Sequence, residues 1–114
     1  MIDWEKFNDT YKHYGTEVVL EIIEILEEQF DELLPAIQQN ITDKDFVALN
    51  NNAHKLKGGL LNFFDPEPVI YAYELELMGK NGQENGMDET LGKLMFTAQE
   101  LLSELRQYRA TLSK

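Results

Sequence analysis

Apolar residues recur along this chain at three- and four-residue steps, and no stretch reads as a strand hairpin. Trp4, Phe7 and Tyr11 share one face of a short first helix, predicted from Asp3 to about Tyr14 with Gly15 as its stop. Thr16 then caps a long helix whose buried side carries Val19, Ile22, Ile23, Leu26, Phe30, Leu33, Leu34 and Ile37. Its other side, with Glu21, Glu24, Glu27, Glu28 and Asp31, reads as solvated surface. Pro35 is expected to kink this helix or end it early, because proline removes a backbone donor and crowds the preceding turn. A third helix starts at Thr42 or Asp43 and ends near Asp65-Pro66, since a residue before proline is biased away from helical geometry. Gly58-Gly59 is an alternative stop inside it. A fourth runs roughly from Glu67 to Lys80 and stops at Asn81-Gly82. After the polar loop to Gly86, Asp88 caps the last helix, where Leu91, Leu94, Met95, Ala98, Leu101, Leu102, Leu105 and Leu112 form the apolar stripe.

Amphipathic helices on short turns bury their stripes only against one another. The predicted fold is therefore all-α: an antiparallel four-helix bundle with a short additional N-terminal helix capping one end. A length of 114 residues fits a single domain spanning 1–114.

Charge narrows the function. With 21 acids against 10 Lys plus Arg and a net charge of −11, the chain lacks the basic footprint of a nucleic-acid binder. The same charge disfavours docking on an anionic membrane. No apolar run approaches the roughly 20 residues that span a bilayer, so membrane insertion is not expected. Met1-Ile2-Asp3-Trp4-Glu5 has no basic and apolar leader pattern, and a cytoplasmic protein is the default expectation. Zero cysteines exclude disulfides, thiolate metal sites and cysteine nucleophiles. The start at Met1 and the full set of helices fit a free-standing protein, and the absence of a leftover apolar face fits a monomer.

Against this acidic background, Phe46 to Phe64 contains no Asp or Glu. On a wheel of about 100° per residue, Phe46, Leu49, Ala53, Leu56, Leu60 and Phe63 form a narrow core stripe. His54 lies roughly 130° from its centre and is expected to face solvent. Gly58 sits one turn along on the same side, and Lys57 flanks it nearer the core. Imidazole titrates near neutrality and can offer a nucleophilic lone pair. A helical glycine costs about 0.5–1 kcal/mol relative to alanine, so a bare turn beside that nucleophile points to steric demand. Lys57 can neutralise phosphoryl oxygens, and Lys55 adds to the positive field. Val47 and Leu61 share the His54 side as an apolar rim. With Asn50, Asn51 and Lys55 they make the candidate partner-binding surface.

Ala53-His54-Lys55-Leu56-Lys57-Gly58 resembles the A-H-x-L-K-G motif of the histidine-containing phosphotransfer (HPt) domains of multistep two-component phosphorelays. Asn62 falls where that family often has asparagine, and Leu75-Glu76-Leu77-Met78-Gly79-Lys80-Asn81-Gly82 is similar to its L-E-x-x-G-K-x-G segment. Many members have small residues after the glycine, where this chain has Leu60, Leu61 and Phe63-Phe64. The resemblance implies that His54 is the phosphoacceptor, that Lys57 attends the phosphoryl group and that Gly58 keeps its approach open. It implies response-regulator receiver domains and a hybrid sensor histidine kinase as partners, with magnesium on the receiver and no cofactor on this chain. No glycine-rich loop followed by Lys-Ser or Lys-Thr is present, so autonomous kinase activity is not expected.

Two other classes compete. A non-catalytic helical module would bind and sequester a receiver or kinase, and would have no need of His54. A metal site would draw on His13 and His54, which lie on different predicted helices without ligand-type spacing.

Overall fold

The computed structural model describes residues 1–112, and all of the regular elements among them are helical. α1 spans Trp4–Tyr11, α2 Thr16–Asp43, α3 Phe46–Leu60, α4 Pro66–Asn81 and α5 Met87–Leu112, with a 3₁₀ turn at Leu61–Phe63 closing α3. Helices α2 to α5 each pack on the next, and α5 returns to α2 to close a four-membered ring. At about 1.5 Å per residue, a helix the length of α2 reaches nearly from end to end of a molecule measuring 46 × 22 × 20 Å. The core between the helices is Ile23, Leu26, Leu33 and Ile37 from α2, Leu49, Ala53, Leu56 and Leu60 from α3, Ala72 and Leu75 from α4, and Leu94, Ala98, Leu101 and Leu105 from α5.

α1 caps one end, as the periodicity predicts. Phe7 is fully buried among the rings of Trp4, Tyr11, Phe63 and Tyr108. The Asp3 amide donates to the Phe64 carbonyl at 2.8 Å, and the Tyr11 hydroxyl donates to the Asn62 carbonyl at 2.9 Å. The Trp4 indole donates to Glu104 of α5 at 2.9 Å. This capping helix is therefore tied to both α5 and the chain leaving α3.

Several boundaries differ from the sequence expectation. α2 runs through Pro35 to Asp43. Leu33 and Ile37, on either side of the proline, are buried. Burial of two such side chains, at about 1.5–3 kcal/mol each, together offsets a proline penalty of about 3 kcal/mol. Gly15, not Thr16, occupies the N-cap of α2. α2 ends because Lys44 turns left-handed (φ 57°) and its N–H bonds back to the last carbonyls. α3 then starts after Asp45 rather than at Thr42 or Asp43, and the Asp45 carboxylate accepts from the Ala48 amide at 3.1 Å. It continues through Gly58-Gly59 to Leu60, and Phe64 (φ 55°) ends the following turn before Asp65-Pro66. α1 is shorter than expected, and α5 begins at Met87 with Asp88 in its first turn. Met95, placed in the α5 stripe by periodicity, is exposed. Glu27, read as plain surface, is mostly buried and paired with Arg106 and Arg109 of α5. No helix among the described residues is long and apolar enough to cross a membrane.

Candidate functional site

The site grows from a close seam between α3 and α4. A Cβ on Gly79 would fall 2.9 Å from the Phe46 carbonyl oxygen and 2.9 Å from the Asn50 amide nitrogen. Only glycine lets the two backbones approach this far. Beside it, the Asn50 side-chain amide donates to the Glu76 carbonyl at 2.8 Å and fixes the register. One turn further along α3 is His54, and Glu76 stands one turn before Gly79 on α4. The seam thus carries the Glu76 carboxylate to the histidine.

The Glu76 carboxylate takes two partners on one oxygen. His54 Nδ1 lies 3.2 Å from Oε1, and Lys57 Nζ lies 2.8 Å from the same atom. An ionised carboxylate only accepts, so Nδ1 carries the proton and donates. Nε2 of His54 makes no hydrogen bond within the described chain and belongs to a side chain that is 69% exposed. Glu76 is only 15% exposed. Burial pushes its carboxyl up, but the hydrogen bonds from Lys57 and His54 more than offset this and hold it below the ordinary value of 4.5. Lys57 is mostly covered, its ammonium lying 4.6 Å from the centroid of the Tyr73 ring. One turn beyond His54, the position of a Cβ on Gly58 has nothing within 4 Å. No packing demand explains that glycine.

The remaining predicted residues divide. Val47 (76% exposed) and Leu61 (55%) flank His54 about two turns away on either side, so the apolar rim is present on the surface. Asn51 is exposed. Asn50 is half-buried, and its amide serves the α3–α4 seam. Lys55 is exposed and lies 4.0 Å from Glu32 of α2. His13 stands exposed in the turn after α1, and no three or more His, Asp or Glu among the described residues form a group that could hold a metal.

The sequence reading includes Glu76 in the Leu75–Gly82 segment without assigning it a role, and it does not single out Tyr73. A further signal was the α4 stripe of Ala72, Leu75 and Gly79, all buried. Glu76 is a carboxylate at the edge of that stripe, facing the acid-free stretch of α3. Such a placement calls for cationic partners.

Taken together, this is an all-helical bundle built to present one carboxylate-anchored histidine on its surface, beside a lysine and a bare helical turn. The Hpt domain model matches residues 21–111, and the chain belongs to the Hpt domain family, the phosphotransfer modules of two-component systems. α1 and the first turn of α2 lie outside the matched residues. No curated protein and no solved structure gives a significant match.

Proposed function

We propose that His54 carries the phosphoryl group, accepting it from the phosphoaspartate of a receiver domain and passing it to another receiver. The observation that carries this is the Nδ1–H contact to Glu76, which leaves the lone pair on Nε2 in the exposed side chain. In the transfer, an N–P bond forms at Nε2 while the bond from phosphorus to the aspartate oxygen breaks, and its electron pair leaves with the carboxylate. The imidazolium charge that develops is spread toward Glu76 through Nδ1–H. Lys57 offsets charge on the phosphoryl oxygens, and alignment supplies much of the remaining help. Gly58 gives the phosphoryl group and the partner's loop room to approach. Val47, Leu61, Asn51 and Lys55 border that approach. This chain supplies the nucleophile, and magnesium belongs to the receiver.

The test is transfer from a phosphorylated receiver to the wild type and to His54→Gln. Acid-labile, base-stable label on the wild type alone is the expected result. Equal labelling of both proteins removes His54 from the mechanism. A folded wild type that binds phosphorylated receivers yet takes no label favours the sequestering module.

A further inference from the structure

Lys57 is held from two directions, and only one of them is a charge. Its ammonium bonds to Glu76 Oε1 at 2.8 Å and faces the Tyr73 ring at 4.6 Å. Tyr73 and Glu76 are three residues apart on α4, so they lie on one face and bracket the lysine. Tyr73 is 46% exposed, in contrast to the buried Ala72 and Leu75 of the same helix. An aromatic side chain left open to water and spent on a lysine adds little to the core. It does hold a cation in place without neutralising it.

That distinction matters once His54 is loaded. A phosphoryl group on Nε2 adds a second anion to the ring whose other nitrogen is hydrogen-bonded to Glu76, and Lys57 is the lysine that touches this carboxylate. The ammonium then has two anionic claimants and one neutral π-face. Resting on the proposed role of His54, we propose that Tyr73 is a positioning residue for phosphoryl transfer. Its ring keeps the Lys57 ammonium at the site while that ammonium shifts its hydrogen bonds from Glu76 toward the phosphoryl oxygens. Lys57 itself forms and breaks no covalent bond, and the N–P and P–O changes are those of the transfer step alone.

The experiment is a rate measurement with a phosphorylated receiver on wild type, Tyr73→Phe, Tyr73→Leu, Lys57→Ala and the Tyr73→Leu/Lys57→Ala double variant, all checked for an unchanged helical melt. Losing a cation–π contact should slow transfer by Tyr73→Leu about three- to tenfold. Tyr73→Phe, which keeps the ring, should stay within about twofold of wild type by the same reasoning. In the Lys57→Ala background, Tyr73→Leu should have no further effect. A competent wild type with an unimpaired Tyr73→Leu overturns the inference alone. So does an equal loss with and without Lys57, which makes Tyr73 a partner contact instead. A wild type that accepts no phosphoryl group overturns the proposed role of His54, and this inference with it.

Discussion

At the residue scale, Glu76 is the side chain on which the site turns, because one of its oxygens serves both His54 and Lys57. Glu76→Gln replaces an ionic acceptor by a neutral one and should slow phosphoryl acceptance roughly tenfold, the effect of a lost charge-assisted hydrogen bond. Rates with a phosphorylated receiver check this. The same residue sets a pH dependence. Its carboxyl is held below 4.5 in the folded chain, so its contribution to stability is complete above that ordinary value and is lost as pH falls through the lowered one. In urea unfolding, the gap between wild type and Glu76→Gln should be widest near neutrality and close in acid. A gap that does not change with pH contradicts the ionic role. Gly58 makes a different prediction, since nothing occupies the space above it. Gly58→Ala should stabilise the helix by about 0.5–1 kcal/mol. Gly58→Leu should melt no lower than wild type yet slow transfer at least about tenfold, or about 1.4 kcal/mol. The clustering of His54, Lys57 and Gly58 along one helix was legible in the sequence, because one-turn spacing places them together. The pairing of Glu76 was not, although the residue lies in the matched segment, because its partners are on another helix and only the α3–α4 packing brings them together.

Among the helices, the decisive contact is the α3–α4 seam at Gly79. A methyl there meets backbone atoms of Phe46 and Asn50, which have no flexible end to move aside. Gly79→Ala should therefore destabilise the bundle by about 1–3 kcal/mol, the usual cost of overpacking. It should also slow transfer, because spreading the helices draws Glu76 away from His54. Thermal melts and transfer rates taken together test this, and unchanged values of both would contradict it. Gly59 marks the contrast. The nearest atoms to a methyl there all belong to the end of the Gln29 side chain, whose Oε1 is buried without a hydrogen-bond partner among the described residues. The elements themselves followed from helical periodicity, but their ends did not. Lys44 and Phe64 adopt left-handed backbone that residue type does not announce. Pro35 is overridden by burial on both sides of it. Both effects are settled by tertiary packing, which a local pattern does not contain.

Over the whole molecule, the structure separates a capped end from a working flank. Phe7 anchors α1 by burial among four rings, and α1 lies outside the family match. Phe7→Ala should cost about 3–5 kcal/mol of stability while leaving the transfer rate of the folded fraction near wild type, which melts and rates on one preparation would check. The acid-free stretch of α3 places Lys55 and Lys57 beside His54, the positive charge that the proposed role calls for. In the proposed transfer, Glu76 fixes the tautomer of His54 and so chooses the nitrogen that carries the phosphoryl group. Nitrogen NMR on protein labelled in its imidazole rings, recorded before and after loading from a phosphorylated receiver, reads this directly. Phosphorylation of His54 at Nε2, with Nδ1 still protonated, is the expected result. A phosphoryl group on Nδ1, or on any residue other than His54, would contradict it.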